Sequence, residues 1–373
     1  MNKNHSGLPQ FVPALDGMRA ISVLMVVLAH AGFPSLPFFE TFPGWIGVDL
    51  FFVISGFLIT HLLLRERENH NEINLKLFWI RRFLRLMPAY YFYVSFLIVL
   101  MLLMPESLYS DGEGFPILYV ASLLGYFVNF INETTIWEYA DLSLHLWSLA
   151  LEEQFYLVWP VLLFFIAKHR RLLLVVGALL LLATSTFTYV FPDHVSTSYH
   201  LWGRGASILS GCLAGIIGFS MSGGGRNFLV RWSKWAWLFC IGFVVALTIN
   251  ENSTVGLHRN FFIVPISISC SIGLIYLWYS PLRTSPVIRT LSWAPLVSIG
   301  RISYGVYLYH MVVQVIVWSE LTSFLDNLGP RAVVYGIRLA TTVALSIGVA
   351  WISYQYLEKP FLEMKSRFRQ ERS

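Results

Sequence analysis

The chain has 373 residues, 56% of them hydrophobic and 13% charged, with a mean hydropathy of +0.62. A soluble domain carries about 25% charged residues, so a soluble enzyme, a secreted domain and a disordered chain are excluded, and lipid is the solvent for most of the sequence. The net charge of +5, from 26 Lys and Arg against 21 Asp and Glu, is explained below by membrane topology and does not indicate nucleic-acid binding.

A spanning helix needs about 20 mostly apolar residues. Runs of that kind lie near 14–33, 46–64, 84–104, 146–167, 171–191, 201–220, 235–250, 260–280, 296–320 and 332–356. The polar residues 1–10 precede a first run with no small-residue cleavage site, so that run is expected to be retained. The seventh run is short. A further run, 115–130, is interrupted by Pro116 and Gly125 and reads as an interfacial or re-entrant segment.

With this assignment the basic residues gather on one side of the membrane, except Arg204, Arg259, Arg331 and Arg338. The positive-inside rule then places both termini in the cytoplasm. The expectation is an all-α integral membrane protein of about ten transmembrane helices in one bundle. Residues 1–361 form the membrane domain and 362–373 a short basic tail. Cys212, Cys240 and Cys270 sit in apolar runs without a CxxC or a nearby His pattern, so neither a disulfide framework nor a metal site is expected.

Ionisable residues inside the spans are the informative ones, because lipid penalises them. The first run holds Arg19 and His30, eleven residues apart, which places them on one helix face ~16 Å apart along the axis. Arg19 is open to two readings, a snorkelling anchor or a contact for a ligand. His30 is either a structural histidine or a reactive one. Asp49 opens the second run, where it can cap the helix or orient His30. Before the third run, WIRRFLRLMP puts Arg82 and Arg85 on one face, with Arg81 near. The pair fits a phosphate clamp or an ordinary positive flank.

The polar loop 105–147 follows, with Trp137, Tyr139 and Trp147 able to stack on sugar faces or to anchor at the interface. The densest constellation is DLSLHLWSLALEEQFYLVWP, holding His145, Ser148, Glu152 and Glu153 at the entry of the fourth run. Adjacent carboxylates entering a span are hard to explain as packing. The ninth run adds Tyr304, Tyr307 and His310 in ISYGVYLYH. Arginines thus collect toward one side and His30, Asp49, His145, Glu152 and Glu153 toward the other. This gradient fits a reagent with an anionic end in the cytoplasm and a reactive end higher up.

Six motifs in order carry a family resemblance: LDGMR with its Arg19–His30 spacing, GVDLFFVISGFLIT, RRFLRLMP, HLWSLALEEQFYLVWP, SYGVYLYH and YLEKPF. The chain resembles the acyltransferase-3 family of bacterial integral-membrane acyltransferases over residues 15–361, in its stand-alone type without an SGNH-type domain. The resemblance implies transfer of an acyl group, usually acetyl, from cytoplasmic acetyl-CoA to a saccharide hydroxyl. O-antigen or exopolysaccharide is the implied acceptor, at the bacterial inner membrane and without a metal.

On that reading Arg82 and Arg85 bind CoA phosphates and Arg19 contacts the phosphate or pantetheine arm. His30 is a general base or a transient acyl carrier, assisted by Glu152, Glu153 and Asp49. His145, Trp147, Tyr307 and His310 are the candidate acceptor-binding residues. The alternatives are acyl transfer to a secondary metabolite or a transporter of lipid-linked saccharide. The internal repeats and matched interrupted helices typical of transporters are not visible by eye.

Overall fold

The computed structural model describes residues 12–31, 43–103, 117–131, 142–191, 200–221, 223–251, 258, 260–280, 285–325 and 331–364. Every regular element among them is helical. Nine helices there are long and apolar enough to cross a membrane, or ten if the pair meeting at Ile302 is one bent span. The expected tail beyond Met364, and the loop residues Trp137 and Tyr139, lie outside the described residues.

The chain divides into two compact units. Unit 1 comprises residues 1–73 and 160–301, and unit 2 comprises residues 74–159 and 302–373.

Unit 1 begins with α1 (Pro13–His30) and α2 (Ile46–His70) and takes the C-terminal end of α6 (Leu146–Ile166). It continues through α7 (Arg170–Val190), α8 (Leu201–Ser220), α9 (Gly223–Ser233) and α10 (Ala236–Glu251). It ends with α11 (Asn260–Tyr279), α12 (Pro286–Leu291) and α13 (Ala294–Arg301). Its centre is the crossing of α2 with α8, against which α11 also packs. Two glycines make that crossing close. A Cβ at Gly56 would collide with the Ile208 carbonyl, and one at Gly211 with the Val53 carbonyl. Lipid supplies no hydrophobic drive between helices, so small residues that let backbones touch are the main adhesive. The outward faces of α7 and α10 carry exposed Leu179, Leu182, Phe239 and Val245, the surface that acyl chains cover.

Unit 2 contains α3 (Leu75–Leu103), the short α4 (Ile117–Gly125) and α5 (Val128–Ile131), and the N-terminal two-thirds of α6. It closes with α14 (Ser303–Leu325), α15 (Arg331–Ser353), a π-helical turn over Tyr354–Glu358 and α16 (Lys359–Met364). α14 pairs with α15, and the π turn packs on α3.

Three boundaries differ from the sequence expectation. The third helix begins at Leu75, not near residue 84, because the Asn74 side chain accepts from the Leu77 N–H at 3.0 Å and starts the helix early. RRFLRLMP therefore lies within a helix, with Pro88 internal to it. The run 296–320 divides at Ile302 into α13 and α14. The run 115–130 is two short helices broken at Tyr126, whose φ of 58° is left-handed.

Candidate active site

In unit 2, α3 and α6 bring two charged motifs together. The Arg82 guanidinium stacks on the Tyr156 ring at 4.3 Å from its centroid, with the Phe78 ring at 5.9 Å. The Tyr156 hydroxyl donates to the Glu152 carboxylate one turn earlier. The Trp79 indole N–H donates to the Tyr156 carbonyl at 3.0 Å, which fixes α3 against α6 at this level. Arg82 is thus aimed by an aromatic face whose polar tip is held by a carboxylate, a geometry that suits a guanidinium.

Glu153 lies beside this group, within electrostatic reach of Glu152 and Arg82. It also senses the phenols of Tyr90, Tyr91, Tyr126 and Tyr304. Tyr90 and Tyr126 stack at 4.0 Å between centroids, and the Tyr304 hydroxyl donates to the Leu86 carbonyl at 3.1 Å. Gln154 holds the broken segment in place. Its amide donates to the Tyr126 carbonyl at 2.8 Å and to Asn129 Oδ1 at 2.9 Å, satisfying the backbone where α4 stops.

Arg85, one turn beyond Arg82, is within electrostatic reach of Glu358 on the π turn. Glu358 is buried and accepts from Ser353 Oγ at 3.4 Å. π turns often mark functional positions, and here the widened turn presents the carboxylate of YLEKPF inside unit 2.

A second buried cluster joins the start of α6 to α14. His145 Nε2–H donates to the Leu308 carbonyl at 3.0 Å, and His310 Nδ1–H to the Tyr307 carbonyl at 2.6 Å. The two imidazoles lie 5.0 Å apart. The Tyr307 hydroxyl donates to the His145 carbonyl at 2.9 Å and lies 2.5 Å from Ser148 Oγ. Trp147 is buried at the first turn of α6.

Unit 1 holds the remaining expected residues. His30 Nδ1–H donates to the Val26 carbonyl at 3.0 Å, which leaves Nε2 as the lone-pair nitrogen of the neutral ring. That tautomer suits a base or nucleophile acting through Nε2. Arg19 Nη1 pairs with Asp16 Oδ1 at 3.1 Å, so the motif's own aspartate orients its arginine. Asp49 is held by α8. Arg204 Nη1 reaches its Oδ2 at 2.7 Å, and Ser207 Oγ donates to its Oδ1 at 2.7 Å. Ser207 in turn meets Ser267 of α11 at 2.9 Å. The resulting buried node ties three helices together, with both Asp49 oxygens engaged by α8.

Within unit 2 the structure brings His145 together with Tyr307 and His310, and Arg82 together with Glu152 and Glu153, which overturns the expectation that the arginines and these carboxylates lie toward opposite sides. Reading the sequence missed Tyr156, Glu358, Asp16 and Arg204. Glu358 had a usable signal, an acidic residue inside a quoted motif at the end of an apolar run. Arg204 stood out only as one of four arginines against the positive-inside pattern, which pointed to no partner for it. Among the described residues no group of His, Cys, Asp or Glu could hold a metal ion.

A family sequence model described as an acyltransferase domain, that of the acyltransferase-3 family, matches residues 12–354. The chain is 31% identical to the putative peptidoglycan O-acetyltransferase YrhL of Bacillus subtilis, over 94% of this chain and 55% of the relative. It is also 31% identical to the peptidoglycan O-acetyltransferase OatA of Listeria monocytogenes, over 94% of this chain and 56% of the relative. A putative O-acetyltransferase of Staphylococcus aureus strain COL is 29% identical, over 94% of this chain and 57% of the relative. The chain thus spans a little over half the length of these curated relatives. No solved structure matches it.

Proposed function

The chain belongs to the acyltransferase-3 family, and from that premise we propose that it moves an acetyl group from acetyl-CoA to a hydroxyl of a cell-envelope saccharide. It is a multi-pass membrane protein, and the expected location is the bacterial inner membrane with the donor arriving from the cytoplasm. In the reaction the acceptor oxygen attacks the thioester carbonyl, the C–S bond breaks, and the hydroxyl proton ends on the departing CoA thiolate. Peptidoglycan, named for two of the relatives, O-antigen and exopolysaccharide are all chemically suitable acceptors.

One observation carries this reading: Arg82, packed on Tyr156 and bonded through it to Glu152 with Glu153 alongside. A cation fixed by an aromatic ring is suited to a CoA phosphate, and adjacent carboxylates are suited to accept or relay a proton. Arg85, with Glu358 as neighbour, extends the phosphate contact, and Arg19 takes the phosphate or pantetheine arm. His30 serves as general base or acyl carrier through Nε2. Asp49 supports this indirectly, by holding α8 through Arg204. His145, Trp147, Tyr307 and His310 bind the acceptor.

The direct test is purified protein in lipid nanodiscs with radiolabelled acetyl-CoA and isolated envelope glycans. Label should pass to glycan as an alkali-labile ester, and CoA release should depend on glycan. CoA-independent passage of a lipid-linked saccharide across a vesicle, without ester formation, would overturn the reading in favour of transport.

A further inference from the structure

α9 and the turn after it form a short basic and aromatic segment, GGGRNFLVRWSKW, over residues 223–235. Arg226, Arg231 and Lys234 supply its charge, and the sequence holds no Asp or Glu from residue 194 to residue 250. Phe228, Trp232 and Trp235 are exposed. Basic and aromatic side chains together on one short helix suit the membrane–water boundary. Arg231 and Lys234 are exposed, and among the described residues neither makes an ion pair.

Beside this segment α9, α10 and α11 leave a cleft of about 520 Å³, lined by Leu229, Trp232, Trp235, Leu238, Phe239 and Ile272 among others. That volume falls within the ~300–1,000 Å³ of small-molecule sites. Its walls are apolar. Ser233, also in the wall, spends its hydroxyl on the Val230 carbonyl at 3.0 Å. Trp232, Leu238 and Phe239 are exposed, so the cleft opens outward.

The cations stand at one end of it. Lys234 Nζ lies 4.9 Å from the ring centroid of Trp235, a wall residue. Arg226 shares a helix face with Leu229, and its guanidinium lies 5.1 Å from the Tyr279 ring centroid at the end of α11. Its buried Nε has no hydrogen-bond partner in the protein. Ile272 lies seven residues back along α11, about 10 Å from that level. The cleft therefore runs from a basic rim into the apolar depth of the spans.

We propose that this cleft binds an acyl chain of an anionic phospholipid, whose headgroup phosphate is held by Arg231, Lys234 and Arg226. Charge complementarity selects that occupant. A hydrocarbon chain matches the apolar walls, and a net negative head matches the cations at the rim. A zwitterionic lipid brings the chain without the net charge, and an apolar helix of a partner leaves the cations unmatched. The site is separate from the donor and acceptor roles above and stands without them.

Native mass spectrometry of the delipidated full chain, titrated with phosphatidylglycerol or phosphatidylcholine of identical chains, tests the site. The unaltered protein should retain one phosphatidylglycerol in preference to phosphatidylcholine. Arg231→Gln with Lys234→Gln should weaken phosphatidylglycerol binding roughly tenfold or more. Ile272→Trp fills the cleft and leaves every cation in place, so it should lower retention of both lipids. Lys168→Gln with Arg171→Gln, an exposed basic pair at the start of α7, should leave binding unchanged.

Equal affinity for the two lipids, unchanged binding in either cleft variant, or an equal loss in the control pair overturns the proposal. Glycerol phosphate that competes as well as the lipid identifies a site for free phosphate, and a dimer that Ile272→Trp dissociates identifies a second copy in the cleft. Either result also overturns it. A photoactivatable phosphatidylglycerol gives a readout that needs no variant. It should label residues 229–239 of the unaltered protein, and labelling confined to other helices overturns the site.

Discussion

The Arg82 guanidinium stands 4.3 Å from the centroid of the Tyr156 ring, and the hydroxyl of that ring donates to Glu152. One tyrosine therefore couples the two charged motifs of unit 2 through its face and its edge. Tyr156→Phe keeps the face and removes the edge. A hydrogen bond to a charged group contributes about 1.5–3 kcal/mol, so acetyl transfer should fall by roughly tenfold or more. Thermal stability in detergent should fall as well, because the Glu152 carboxylate loses this donor even though the ring still fills its site. Arg82→Lys should do more damage to donor binding than Tyr156→Phe, since an ammonium neither stacks nor forks on phosphate as a guanidinium does. The KM for acetyl-CoA separates the two effects.

Arg85 and Glu358 give a second prediction. A positive flank that only sets topology can lose one arginine of several without changing donor affinity. A phosphate ligand cannot. Arg85→Ala should raise the KM for acetyl-CoA about tenfold, corresponding to ~1.4 kcal/mol, with a smaller effect on kcat. Glu358→Gln should act in the opposite sense on donor affinity, by releasing Arg85 from its carboxylate neighbour. Isothermal titration with acetyl-CoA reads both changes without turnover, and equal affinities in all three proteins would discard the phosphate role of Arg85.

The Asp49–Arg204 pair predicts a stability effect and its rescue. Both side chains are buried, at 1% and 7% exposed. Asp49→Ala leaves the guanidinium without its counter-charge inside unit 1, at a cost of about 3–5 kcal/mol. Combining Asp49→Ala with Arg204→Met removes the stranded charge and should recover much of the lost stability. A thermal shift in detergent reads the cycle. If the double variant is no better than Asp49→Ala, the two residues are not energetically coupled as the geometry requires.

The α2–α8 crossing predicts a third kind of failure. Gly211→Leu drives a side chain into the Val53 carbonyl, and Gly56→Leu does the same against Ile208. Overpacking of this kind costs about 1–3 kcal/mol, and more where the obstacle is backbone. Both variants should lower the yield of folded protein, whereas Gly348→Leu, with open space around its Cα, should be tolerated.

How much of this was legible in the sequence follows from what lipid enforces. A span must be long and apolar whatever its neighbours do, which is why residues 201–220 were readable and recur as Leu201–Ser220. Polar residues at helix ends obey no such rule. Asn74 moved the start of α3 by about nine residues through one side-chain cap, and the break at Ile302 leaves no mark in an apolar run. The site was half legible for the same reason. Glu152 and Glu153 stood out because lipid rejects them, and Arg82 and Arg85 because they share a face. Their actual companions, Tyr156 and Glu358, depend on how α6 and the π turn meet α3, and one-dimensional spacing does not contain that. Asp49 was visible as an anomaly, but its partner Arg204 lies 155 positions away.

His30 supplies the remaining prediction. Its Nδ1–H is committed to the Val26 carbonyl, so any chemistry passes through Nε2. His30→Ala should reduce acetyl transfer by about 10²–10⁴-fold, the usual share of a general base, while acetyl-CoA binding and thermal stability stay close to those of the unaltered protein. His30→Gln is the control for both roles left open for this residue. An amide can hold position but cannot take a proton or an acyl group, so it should be as inactive as alanine in either role. The acyl-carrier role makes one further demand: an acetyl label retained on protein when acetyl-CoA is supplied without glycan, and absent in His30→Gln. Acid-labile label that follows His30 and discharges onto added glycan identifies a carrier. Loss of transfer in His30→Ala with no such label in the unaltered protein identifies a base.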